Sequence, residues 1–275
     1  MTRSPMAKMI MVAAGLMLAL SAAGCGGQQS PSADGSGSSA SSAASASGAA
    51  VSGKITVLAA ASLTESFGTI GADFEKLHPA STVTFSFGSS ATLATQVNQG
   101  APADVLATAD ERTMKMVTDA GNGSGEPAVF ATNTLEIAVP AGNPGKITGL
   151  ADFADPEHKT VLCAKEVPCG AAAQQVFADA KITPKAVSYE SDVKAALQKV
   201  EQNEADAALV YKTDVAAAGD KVQGIEFDQA SAVVNSYPIV ALKESKNAAG
   251  AKALVDYVQS DAGQQVLASA GFGAP

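Results

Sequence analysis

The feature that most restricts this chain's fold is a handover that recurs along it. An apolar, strand-like run ends at a small polar residue, and that residue opens a helix-periodic run. Lys54 to Ala60 (KITVLAA) is β-branched and apolar, and Ser62 follows it. Ser62 and Glu65 have the S-x-x-E spacing of a capping box, and Leu63, Phe67, Ile70, Phe74 and Leu77 form one helical stripe that Pro79 stops. Val83, Phe85 and Phe87 alternate with polar residues until Gly88-Ser89-Ser90, after which Ala91 to Gln99 reads as a helix. Thr160 to Ala164 leads into Pro168-Cys169-Gly170 and a helix to Ala180. Ala186 to Tyr189 leads into Ser191-Asp192-Val193 and a helix to Gln202. Such alternation predicts an α/β architecture with sheets flanked by helices.

Further strands are expected at Asp104 to Ala109, Leu135 to Pro140, Ala207 to Val210 and Ser236 to Ala241. Asp110 caps a helix carrying Met114 and Val117, and two helices close the chain, Asn247 to Gln259 and Ala262 to Ala270. No internal repeat is visible. The most economical layout is two α/β lobes with a ligand cleft between them. Lobe 1 would comprise residues 53–131 plus 236–275 and lobe 2 residues 132–235. The chain would cross near Ala131 to Thr134 and return near Asp228 to Asn235. Open α/β sheets bind ligands at the carboxyl ends of their strands, where these handovers lie.

The first turn of a helix carries free backbone N–H groups and the positive end of the helix dipole, and so receives anions without a cationic side chain. Ser62, Ser89, Ser90, Cys169, Gly170 and Val193 all sit at such starts, and the Tyr211 phenol, just beyond a strand, adds a further O–H. No Lys or Arg falls within the Ser62, Ser90 or Val193 turns, although Lys165, Lys194 and Lys212 are near in sequence. Neutral donors suit a dianion with no proton, such as sulfate, molybdate or tungstate, better than hydrogen phosphate, which also needs an acceptor. Each serine alone reads as an ordinary N-cap; the recurrence points to a site.

Charge narrows the partners. The chain has 27 Asp plus Glu against 18 Lys plus Arg, no basic run and no Trp. This argues against nucleic acid and against stacking platforms for bases or sugars. A secreted serine hydrolase is the rival from another class. Against it, there is no G-x-S-x-G, S-x-x-K or H-E-x-x-H, and His78, next to Pro79 at a helix end, and His158, in a polar turn, offer no base.

The N-terminus specifies export. Arg3 and Lys8 precede an apolar run from Ile10 to Ala23, too short for a membrane span, which needs about 20 residues. Ser21-Ala22-Ala23-Gly24-Cys25 resembles the lipobox of bacterial lipoproteins, although Ala22 replaces the usual leucine. That resemblance implies a signal peptide over residues 1–24, acylation of Cys25, and attachment to the outer face of the cell membrane. Residues 25–52 form a Ser/Gly/Ala leash unable to build a core. With Cys25 assigned to lipid, Cys163 and Cys169 remain. An oxidising compartment favours a bridge between them; two buried thiols are the alternative.

The segments KITVLAAASLTESF (Lys54 to Phe67), FGSSATLATQV (Phe87 to Val97) and GAPADVLATAD (Gly100 to Asp110) strongly resemble the molybdate-binding proteins of ABC importers. Val167-Pro168-Cys169-Gly170, Glu190-Ser191-Asp192-Val193 and Leu209-Val210-Tyr211 look like the later motifs of that family. The resemblance runs from Gly53 to the C-terminus. It implies the two-lobed type II periplasmic-binding-protein fold. The implied function is non-enzymatic: a monomer captures molybdate or tungstate and passes it to the importer's membrane subunits, using no cofactor. The implied anion ligands are Ser62 and Ser90 through hydroxyl and N–H, Cys169 and Val193 through backbone N–H, and Tyr211 through its phenol, with Ser89 and Gly170 as near neighbours. Many relatives carry alanine where this chain has Cys169, a difference tolerated if only the main chain is used.

Overall fold

Two strands set the architecture, because they alone link the two halves of one sheet. They are β4 (Ala128–Pro140) and β9 (Val234–Ala241) in a computed structural model that describes residues 51–275. The expected signal peptide, Cys25 and the leash up to residue 50 lie outside the described residues. On one side are β1 (Gly53–Ala60), β2 (Ser81–Gly88) and β3 (Val105–Ala107). On the other are β5 (Thr160–Cys163), β6 (Ser188–Glu190), β7 (Ala207–Tyr211) and β8 (Val222–Ile225). The strand order is β2-β1-β3-β9-β4-β7-β5-β6, with β8 on β4. Within each half the β1/β2, β1/β3, β5/β6 and β5/β7 pairs are parallel; every pair made by β4 or β9 is antiparallel. β4 serves both halves because it is 13 residues long. Residues 128–134 pair with β9, and residues 135–140 pair with β7 and β8.

Eight α-helices flank this sheet among the described residues: α1 (Thr64–Leu77), α2 (Ser90–Asn98), α3 (Glu111–Asp119), α4 (Pro168–Ala180), α5 (Val193–Glu201), α6 (Lys212–Ala218), α7 (Ala248–Gln259) and α8 (Asp261–Ser269). The apolar stripe of α1 buries Phe67, Ile70 and Phe74, each worth about 1.5–3 kcal/mol when fully removed from water. Strand β7 (AALVY) is buried at every position, as a central strand covered on both faces should be. Asp110 caps α3 as expected, accepting the Thr113 N–H. No helix among the described residues is long and apolar enough to cross a membrane.

The structure departs from the sequence expectations locally. Leu77 is 62% exposed, lying at the C-terminal end of α1 just beyond the buried Phe74. The Ser62–Glu65 capping box does not form: Ala61–Leu63 is a short 3-10 turn, and α1 starts only at Thr64. Both side chains have partners elsewhere, as described below. The strand expected from Leu135 starts seven residues earlier, at Ala128, so the chain crosses between the halves within a strand rather than in a loop. Strand β8 and helix α6, both short, were not anticipated.

Candidate functional site

Six strand ends meet at one cavity. Its volume is about 20 Å³, and it is lined by Ala60, Ala61 and Ser62 after β1; Gly88, Ser89 and Ser90 after β2; Ala109 after β3; Val167, Pro168 and Cys169 after β5; Asp192 and Val193 after β6; and Tyr211 at the end of β7. A cavity needs about 10–15 Å³ of such space to hold one water, so there is room here for a single small ion and not for a larger organic ligand. All five residues predicted as principal anion ligands therefore border a single space, although they lie as far apart in sequence as Ser62 and Tyr211. Ser89 lines it too. Gly170 does not. Its backbone packs against the preceding loop so closely that a Cβ would lie 1.9 Å from the Ala164 carbonyl oxygen. Glycine there lets the start of α4 close onto that loop, which places Gly170 behind the pocket rather than in it.

Three helices begin at the cavity: α2 at Ser90, α4 at Pro168 and α5 at Val193. Their first turns border it, with no cationic side chain in the lining. The one charged lining residue is Asp192, whose carboxylate caps α5 by accepting the Ala195 N–H at 3.0 Å.

The lining hydroxyls are the informative part. Tyr211 Oη and Ser89 Oγ are buried with no hydrogen-bond partner. Orphaned hydroxyls of this kind are rare because each costs about 1–3 kcal/mol in lost hydration. Burial pushes the Tyr211 phenol well above the usual tyrosine range, so it stays protonated and available as a donor. The Tyr237 phenol also influences it, but no bond of acceptable geometry joins the two. Ser90 Oγ accepts the Ala109 N–H at 3.0 Å. Ser62 Oγ lies 3.0 Å from Tyr237 Oη, which is why it caps no helix.

Around the cavity, Cys163 and Cys169 form a disulfide that ties the first turn of α4 to the end of β5. Lys194 Nζ lies 2.9 Å from both Glu65 oxygens and 3.3 Å from Asp214 Oδ1. Burial pulls the Lys194 ammonium down, but Asp214 and Glu65 outweigh it and raise the pKa overall. Arg112 Nη2 donates to the Glu166 carbonyl at 2.8 Å. Among the described residues no group of three or more His, Cys, Asp or Glu could hold a metal ion, and neither histidine lines the cavity.

Sequence reasoning did not find Ala109, Asn133, Asn235, Tyr237 or the Lys194–Glu65 contact. Tyr237 is legible only as part of a strand; its contact with Ser62 spans 175 positions, and no local pattern encodes it.

Known proteins place this arrangement. The sequence matches the family of bacterial extracellular solute-binding proteins over residues 55–273. The molybdate-binding protein ModA of Mycobacterium tuberculosis is 41% identical over 221 residues, spanning 80% of this chain and 85% of that one. The ModA of Escherichia coli is 34% identical over 239 residues, spanning 81% and 90%. Among solved structures, the periplasmic molybdate-binding protein of Azotobacter vinelandii superposes with a TM-score of 0.67 at 20% identity, over 80% of this chain and 99% of that one, which shows a shared type II periplasmic-binding fold. With the match covering nearly all of the described residues, the chain belongs to the bacterial extracellular solute-binding protein family.

Proposed function

We propose that this protein captures a small tetrahedral dianion, molybdate or tungstate, outside the cytoplasm and delivers it to the membrane subunits of an ABC importer. One observation carries the reading: two orphaned buried hydroxyls and three helix starts face one small cavity that has no cation in its lining. A doubly charged ion with four acceptor oxygens would satisfy those donors, and bonds to a charged partner in a dry site are the stronger kind. The ligands would be Ser62, Ser90 and Tyr211 through O–H, with backbone N–H from Ser62, Ser90, Cys169 and Val193; Ser89 adds a further hydroxyl. The ModA relatives, at up to 41% identity, support the choice of ion.

In this reading residues 53–131 plus 236–275 and residues 132–235 are two lobes joined by β4 and β9. The anion meets the first lobe at Ser62 and Ser90, and closure adds Cys169, Val193 and Tyr211. A monomer acylated at Cys25 and leashed by residues 25–52 would stay beside its importer. The site performs no covalent chemistry; its serines face a phenol and a backbone amide, neither of them a base.

A thermal-unfolding panel of molybdate, tungstate, sulfate and phosphate on residues 53–275 tests this. A ligand at 100 times its Kd adds about 2.7 kcal/mol to stability. Molybdate and tungstate should raise Tm most. A larger shift with sulfate would reassign the ion, and no shift with any of the four would refute oxyanion binding.

A further inference from the structure

Asn133 on β4 and Asn235 on β9 sit directly opposite each other in the antiparallel register, where both point to the same face of the sheet. Both are buried. Each leads to one of the two serines proposed as principal anion ligands, Ser62 and Ser90.

The Asn133 route has a fixed polarity. Its Oδ1 accepts the Thr134 N–H at 3.0 Å, which sets the orientation of the amide. Nδ2 therefore faces Thr213 Oγ1 at 2.8 Å and Tyr237 Oη at 3.4 Å, and donates to both. Tyr237 Oη lies 3.0 Å from Ser62 Oγ, a contact in which either hydroxyl can donate, and the N–H that the phenol receives from Asn133 favours the phenol as the donor. With the phenol donating, the Ser62 proton is left for the cavity. The Asn235 route passes through the main chain. Asn235 Nδ2 donates to the Ala109 carbonyl at 2.8 Å and so holds that residue. The Ala109 N–H in turn donates to Ser90 Oγ at 3.0 Å, again leaving the serine proton for the cavity.

We infer that Asn133 and Asn235 are positioning residues that hold Ser62 and Ser90 with their protons toward the cavity, and so bias the site toward an anion that carries no proton. The inference rests on the oxyanion reading above. A serine with no other partner can turn two lone pairs to the P–OH of hydrogen phosphate; one that already accepts a bond has a single lone pair left and its proton free, which favours an anion that only accepts.

The test is calorimetric titration of the wild type, Tyr237→Phe, Asn133→Ala and Asn235→Ala with molybdate, and with phosphate by competition, at neutral pH. Tyr237→Phe keeps the ring's packing and removes only the relay oxygen; the two asparagine variants supply the answer should it fail to fold. Molybdate affinity should fall about tenfold in each variant, the equivalent of roughly 1.4 kcal/mol. Phosphate should be unchanged or tightened, so the molybdate-to-phosphate ratio narrows. Equal losses for both anions, unchanged molybdate affinity, or phosphate binding undetectable throughout would overturn the assignment by showing a structural role alone. A wild type that binds neither anion removes the oxyanion reading itself and this inference with it.

Discussion

Lys194 on α5 reaches Glu65 on α1 across 129 positions of sequence, with its ammonium 2.9 Å from both carboxylate oxygens. Glu65 belongs to the first proposed lobe and Lys194 to the second, so the pair would act as a clasp between them. The Glu65 side chain is about half exposed, which limits the bond to about 0.2–1 kcal/mol. Glu65→Gln should therefore speed anion release about two- to fivefold and leave Tm nearly unchanged, as stopped-flow displacement would show. Release at the wild-type rate would mean that the clasp does not resist opening.

Lys194→Ala should behave differently, because Lys194 is also the counter-charge of the fully buried Asp214. Removing one partner of a buried pair leaves an uncompensated charge and costs about 3–5 kcal/mol, an upper bound here because Asp214 can take up a proton. Urea unfolding should show a loss of stability several times that of Glu65→Gln. Equal effects of the two variants would contradict the burial argument.

The same carboxyl predicts a pH dependence. Burial pushes the Asp214 carboxyl up to about 6, against the pull of Lys194. In the unfolded chain it titrates near the ordinary value of about 3.9. Between these two values the folded protein holds a proton that the unfolded chain has released. This contribution to stability is thus complete below about pH 4 and is lost as pH rises through about 6, a change on the order of 2–3 kcal/mol. Unfolding followed by circular dichroism across that window should show the decline in the wild type and not in Asp214→Asn. Parallel curves would assign the pH dependence to other groups.

Tyr211→Phe separates function from stability by sign. The Tyr211 hydroxyl is buried and unpartnered, so deleting it should leave the ligand-free protein as stable or raise its stability by about 1 kcal/mol. Molybdate affinity should meanwhile drop by about 1.5–3 kcal/mol, the usual worth of a bond to a charged group. Thermal unfolding without ligand and calorimetry with it measure the two effects. Lower stability with unchanged affinity would make Tyr211 a core residue and nothing more.

Replacing both members of the Cys163–Cys169 bridge with alanine opens a small ring of sequence separation 6. Loop-closure entropy for a ring of this size gives a loss of about 2 kcal/mol. The anion should also bind more weakly, because the bridge holds the first turn of α4, where the Cys169 N–H lies. Full affinity in the alanine pair would show that α4 keeps its place without the bridge.

The principal residues of the cavity could be read from the chain itself, because each lies at a strand-to-helix junction, a local pattern of apolar period and small polar breaks. Ser62, Ser90, Cys169, Val193 and Tyr211 carry that signature whatever surrounds them, and the α/β class follows from the same alternation. The helix expected to start at Ser62 shows the limit of local reading. Its S-x-x-E spacing is intact, yet Ser62 bonds Tyr237 and Glu65 bonds Lys194, since partners distant in sequence outcompeted a local cap of about 1 kcal/mol. Gly170 shares the junction pattern and still falls behind the cavity, a matter of one residue's direction along the chain. The polarity of the serine protons, the facing of Asn133 and Asn235, and the orphaned state of the Tyr211 hydroxyl exist only once β4 and β9 pair and the junctions converge. Hydrogen bonds between residues a hundred or more positions apart depend on the register of strands and the packing of helices, and neither is written in any window of the sequence.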